Sequence, residues 1–279
     1  MTDTTPDAGS RGLHAQLDHG ILRLTLDNPT KRNAIDDVTV AELVDHFERA
    51  NQDEAVRAIL MRGAGDDFCA GFDIVSRNAP GGVGGGADDA RPRVGSIQRR
   101  LPAQAHRLIP LILSTQVPVV AAVRGWAAGL GLHLAIAADF CVAASDARLW
   151  EPFAQRGFTP DSGGTWLLPR LVGVARAKEL LMLGREISGE EAAEWGLVFR
   201  SVPAGDVERE SESIATTLAE GATVSLGLTK WLVHQGAGLD LERHLASEAF
   251  AMELSSRSAD FREGIASLRE RRAPRFDGR

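Results

Sequence analysis

Apolar and polar positions alternate through residues 13–26 (LHAQLDHGILRLTL) on either side of Asp18-His19-Gly20, which is the pattern of a β-hairpin. Asn28-Pro29 ends it. Asp36 or Asp37 can cap a helix that runs to Ala50, because Val40, Leu43, Val44 and Phe47 recur at helical spacing. Unbroken apolar runs at residues 56–61, 117–123 and 140–144 predict buried strands, followed by a strand at 147–150 and a last short one at 197–202. Helical patterns cover residues 98–114, with Pro102 and Pro110 towards the ends, then 131–138, 163–171 and 175–183. Ser188 starts another helix, with Glu191 at capping-box spacing. Residues 63–71 and 124–130 read as glycine-containing loops, and from Ala204 onward the pattern is helical only. Strand–turn–helix units with a helical tail imply an α/β fold: a core over residues 11–203 and a helical region over 204–279.

Two segments stand apart. Residues 1–10 (MTDTTPDAGS) carry neither the basic nor the apolar stretch of a leader and read as a flexible tail. Residues 79–95 hold six Gly and two Pro with almost nothing apolar, so a mobile loop is expected, either a surface insertion or a flap over a site.

Composition narrows the function. At 44% hydrophobic the 279-residue chain can bury a core, which excludes general disorder, and no apolar run reaches the roughly 18–20 residues of a membrane span. A net charge of −7 argues against a general nucleic-acid binder. Cys69 and Cys141 form no CxxC pair and read as buried thiols of a cytoplasmic protein. With no Tyr in the chain, no phenolic acid is available for catalysis.

The candidate chemistry sits in two loops of one design: 68–74 (FCAGFDI) and 125–133 (GWAAGLGLH) each follow a buried strand, contain Gly and lead towards a helix. Glycine lets backbone N–H groups face a ligand, and a helix N-terminus adds positive potential. Two converging N–H groups can hold a developing oxyanion, although glycine turns of this kind are also ordinary structural joints.

FCAGFDI, VPVVAAVRGWAAGLG, ADF and PDSGGTWLLPRLVG resemble, in order and spacing, the motifs of the crotonase (enoyl-CoA hydratase/isomerase) superfamily. The opening NPTKRNA and the closing DFREGI are similar to its first and last segments, so the likeness spans nearly the whole chain. The resemblance implies a spiral of ββα units with a C-terminal helical region, and a homotrimer or dimer of trimers. It also implies an acyl-CoA substrate, no permanently bound cofactor, no metal, and no nucleic-acid or membrane partner. Its oxyanion donors match the backbone N–H of Phe72 and Leu130, with Gly129 as a near alternative. Lys31 and Arg32 match contacts to the nucleotide end of CoA. Further substrate contacts are implied at Ala34, Ala70, Asp73 and Ile74, and at Trp126, Gly129, His133, Phe153 and Phe158. Seven Arg against four acidic residues over 256–279 suggest either phosphate contact or a solvated helix face.

Hydratases of the superfamily carry two Glu where this chain has His133 and Phe153, and a Phe can neither activate water nor deliver a proton. Glu151 lies two residues from Phe153, at a different depth if the segment is a strand. His133 reads more readily as a hydrogen-bonded packing residue than as a catalyst. Asp161 is the preferred proton carrier, because PDSGGTWLLPR resembles the segment of 1,2-epoxyphenylacetyl-CoA isomerase-like members; the competing reading is a helix cap. Burial among Phe72, Phe153 and Trp166 would raise its pKa to a useful value. An isomerase is therefore expected, with a non-standard hydratase or a weakly catalytic CoA-binding scaffold as alternatives. A dehalogenase-like reaction needs a His as base, and its place falls near Pro110 here, which argues against that chemistry.

Overall fold

The computed structural model describes residues 12–77 and 94–279, so the tail and all but the end of the glycine-rich loop lie outside the described residues. Strands β1 (Leu13–Asp18) and β2 (Ile21–Leu26) pair antiparallel with Asp18 opposite Ile21. The two linking residues, His19 (φ 48) and Gly20 (φ 76), are both left-handed, the turn that matches strand twist. Along the chain follow α1 (Asp37–Ala50), β3 (Ala58–Gly63), α2 (Ile74–Arg77), α3 (Ser96–Arg100) and α4 (Leu108–Ser114). Then come β4 (Val119–Val123), β5 (Trp126–Ala128), α5 (Leu130–Ala137), β6 (Phe140–Ala144), β7 (Arg148–Trp150) and α6 (Gly164–Leu183). β8 (Ile187–Ser188), α7 (Gly189–Glu194) and β9 (Arg200–Val202) precede the helices α8 (Val207–Ala219), α9 (Thr223–Gly236), α10 (Leu241–Ser255) and α11 (Ala259–Glu270).

The main sheet has the order β1-β2-β3-β4-β6-β9, parallel from β2 onward, and β5-β7-β8 form a second sheet. The apolar runs are thus the central parallel strands, covered on both faces. α1 covers one side with Val40, Leu43, Val44 and Phe47, and the Asp36 carboxylate caps it by accepting the Thr39 N–H at 2.9 Å. Ser188 likewise accepts the Glu191 N–H at 3.1 Å.

Three expectations change. The helix over 98–114 is broken into α3, two 3-10 turns and α4, because Pro102 opens the first turn and Gln104 (φ −126, ψ −112) leaves the helical region. The 124–130 loop contains a short strand, β5, which pairs with β7. The helical region is not wholly an appendage: Val207, Ala215, Leu218 and Ala219 of α8 belong to the core and pack over β3, β4 and β6.

Buried polar groups tie the later helices down. Lys230 of α9 donates to the Ile112 carbonyl at 2.8 Å and to Asp139 at 2.7 Å. Burial pushes its ammonium pKa below the ordinary value, against the opposing pull of Asp139. Arg57 donates to the carbonyls of Gly221 (2.7 Å) and Phe276 (3.2 Å), fastening the final segment beside β3.

Candidate active site

The two glycine loops are joined backbone to backbone. Cys69 N–H donates to Trp126 O (2.8 Å) and Ala128 N–H to Cys69 O (3.0 Å), a parallel bridge between Cys69 and Ala127. Asp67 adds a side-chain bond from the Trp126 N–H at 2.9 Å. The approach needs Gly131, where a Cβ would fall 2.3 Å from Cys69 O. The first segment is held to the same place by Asn33, a buried residue the sequence reading did not single out. It donates to Ala64 O (2.9 Å) and Asp67 O (2.6 Å) and accepts from Asn28 N–H (2.9 Å).

Gly129 N–H is committed to Trp150 O at 2.9 Å, which removes it as the alternative. Leu130 is the first residue of α5, where a helical N–H has no intrahelical acceptor and the helix end is positive. Phe72 bridges Ile35: Gly71 O and Asp73 N–H both bond Ile35, so by strand alternation the Phe72 N–H points to the other edge. A Cβ on Gly71 would meet Ala128 O at 2.7 Å and Leu130 N at 3.6 Å, so the segment entering Phe72 runs against the turn entering Leu130.

Around the joint, Lys31 donates to Asp73 (2.6 Å) and Ser76 Oγ (2.7 Å). Partial burial opposes ionisation of Asp73, but those bonds and the Ser76 N–H hold its carboxyl below the usual range. Arg32 and Arg148 stack on Trp126, at 5.3 and 3.9 Å from the ring centre, and Trp150 lies 5.8 Å from Trp126. Ala34 and Ala70 are half-buried, Ala70 N–H donating to Arg32 O at 2.9 Å; Ile74 is exposed. In the C-terminal basic stretch, Arg257 pairs with Glu253, and Arg272 with Glu263 and Glu270. Bonds from Arg272 and the Arg275 N–H push the Glu263 carboxyl down to about 2.

Asp161 does not have the apolar surroundings expected of it. It is exposed, as are Phe158 and Trp166, and Trp166 faces out beneath Arg170 at 3.8 Å. Neither does it cap α6, which starts at Gly164 after the left-handed Gly163 (φ 95). Its carboxylate makes no hydrogen bond among the described residues, while its carbonyl accepts from His106 Nε2 at 2.6 Å.

His133 and Glu151 are brought together instead. Both are fully buried, with His133 Nε2 2.8 Å from Glu151 Oε1 and His133 Nδ1 2.7 Å from Ser162 Oγ. The strand argument that separated Glu151 from the site fails because β7 ends at Trp150 and Phe153 is already helical (φ −58, ψ −52). Glu151 Oε2 is buried with no hydrogen-bond partner among the described residues. Phe153, also buried, stacks on the His133 ring (5.9 Å, 8°) and meets Phe158 edge-on (5.4 Å). Nothing in the spacing of Glu151, Ser162 or His106 signals these contacts, which join distant parts of the chain. No group of three or more His, Cys, Asp or Glu among the described residues is disposed to hold a metal, and no described helix is long and apolar enough to cross a membrane.

Comparison with known proteins adds to this geometry. A family model described as enoyl-CoA hydratase/isomerase matches residues 16–279. The 1,2-epoxyphenylacetyl-CoA isomerase of Escherichia coli (strain K12) is 36% identical over 267 residues, covering 95% of this chain and 98% of the relative. A "Probable enoyl-CoA hydratase" of Rhodobacter capsulatus is 37% identical over 264 residues, covering 95% and 97%. The crystal structure of an enoyl-CoA hydratase from Bacillus anthracis superposes with a TM-score of 0.87 at 29% identity, covering 96% of this chain and all of that one.

Proposed function

Because the chain belongs to the enoyl-CoA hydratase/isomerase family, we propose that it is an acyl-CoA isomerase-like enzyme. The N–H groups of Phe72 and Leu130 hold the thioester oxygen as negative charge develops on it, which acidifies the neighbouring C–H bonds. Asp161 removes a proton from one carbon of the acyl chain and returns it to another. One carboxylate suffices for this, since no water is added. The bound acyl chain would displace solvent from around this exposed carboxylate. Arg32, stacked on Trp126, meets the nucleotide end of CoA in this reading, and Lys31 does so once it leaves Asp73.

The observation that carries the reading is the joint between the loops, which sets the Leu130 helix start beside the segment entering Phe72. The family implies the rest: Asp161 as the proton carrier and a CoA thioester as substrate. A second reading has one specific observation in its favour: the buried His133–Glu151 pair with an unpartnered carboxylate oxygen is equipped to handle the proton of a water molecule, as hydration requires.

The two separate by absorbance of the conjugated thioester. With a 3-enoyl-CoA the expected result is a gain of conjugation that falls at least a hundredfold in Asp161→Asn. Wild-type turnover in Asp161→Asn would refute the mechanism. Loss of conjugation from crotonyl-CoA, sensitive to Glu151→Gln, would favour hydration. Tight CoA binding with neither change would leave a scaffold.

A further inference from the structure

We propose that Asp161 is aimed by two histidines, one holding its own backbone carbonyl and the other the side chain of the next residue, Ser162. This rests on Asp161 as the proton carrier. A catalytic base needs placement to within about half an ångström, and a segment without regular structure does not supply it. Between β7 and α6 the chain has only a 3-10 turn at Ala154–Arg156, and the Asp161 carboxylate itself makes no bond among the described residues. The fixed points lie at its own carbonyl and at the next residue. His106 Nε2 donates to the Asp161 carbonyl at 2.6 Å; a carbonyl only accepts, so Nε2 carries the proton. One residue on, the Ser162 hydroxyl is bound to His133 Nδ1 at 2.7 Å.

His133 in turn has no freedom. Glu151 holds its Nε2, Phe153 lies parallel to its ring with centroids 5.9 Å apart, and Gly164 is so close that a Cβ there would fall 2.1 Å from Nε2. Proton placement is coupled along this chain: when Nε2 donates to Glu151, Nδ1 accepts from Ser162. The pattern is that of a residue oriented by a second, itself oriented by a third. Ser162 is 3% exposed and His133 and Glu151 are fully buried, so the triplet works on the loop and not on the thioester carbon. His106, His133, Glu151 and Ser162 are therefore positioning residues, and Asp161 the group that meets substrate.

The test is steady-state turnover of 3-hexenoyl-CoA by the full chain. His106→Ala and Ser162→Ala are each expected to lower kcat about tenfold or more with KM within about twofold, the signature of a misplaced base. His106→Gln, which keeps an N–H donor, restores most of the loss. In an Asp161→Asn background neither change lowers the residual rate further. His106 is exposed, so its variants fold even if those at buried Ser162 do not. Unchanged kcat in His106→Ala, no rescue by Gln, or a loss that persists on the Asp161→Asn background would overturn the proposal while leaving the isomerase reading intact. Wild-type turnover in Asp161→Asn would end both. Release of free CoA thiol, abolished in Ser162→Ala, would make Ser162 a nucleophile and overturn the positioning role.

Discussion

At the scale of single residues, the tightest constraint is the absent side chain at Gly131. A methyl group there would lie 2.3 Å from the Cys69 carbonyl oxygen, well inside van der Waals contact, and that oxygen belongs to backbone that cannot swing aside. Gly131→Ala should part the two loops by an ångström or more. The expected outcome is a loss of at least a hundredfold in kcat/KM, checked by turnover alongside a thermal melt that shows the fold retained. This glycine was legible as part of a motif. Its reason was not, because the sequence does not reveal that Cys69 is the neighbour. The same holds for Glu151: a carboxylate two positions from a Phe reads as a residue on the same strand face, and only the helical turn at Phe153 carries it inward onto His133.

At the scale of elements, periodicity found what is locally determined and missed what is set from outside. The hairpin, α1 and the capped start of α7 carry their turn and cap residues in their own sequence. The interruption at Gln104 is a bend within an apolar pattern that still satisfies helical spacing, and β5 is a strand only because β7 lies beside it. α9 is fastened by a side chain no pattern flags. Lys230 satisfies two carbonyls and Asp139 from a position 8% exposed, so Lys230→Ala takes that donor from the Ile112 and Val117 carbonyls and leaves the part-buried Asp139 carboxylate with the Val119 N–H alone at Oδ2. We expect a loss of about 3 kcal/mol in stability, measured as a lower urea midpoint at unchanged m-value.

For the whole molecule, the buried apolar runs become the central parallel strands, while large apolar side chains stay exposed on the last helices. Phe250, Met252 and Leu254 on α10 and Leu268 on α11 are 61, 57, 44 and 75% exposed. We propose that these faces meet other copies in the trimer or dimer of trimers implied by the family likeness. Light scattering on the purified protein should give three or six times 29.9 kDa, and a monomer at micromolar concentration would refute it.

The joint between Cys69 and Ala127 has a practical corollary. If the charge that forms during the reaction is met by main-chain atoms, a genetic scan of the site is blind to its principal catalytic groups, since every encoded variant retains them. Semisynthesis reaches them: an ester in place of the Gly129–Leu130 amide deletes one donor and leaves every side chain untouched. The depsipeptide enzyme should bind CoA normally and turn over slower by roughly 2.7–4 kcal/mol of barrier.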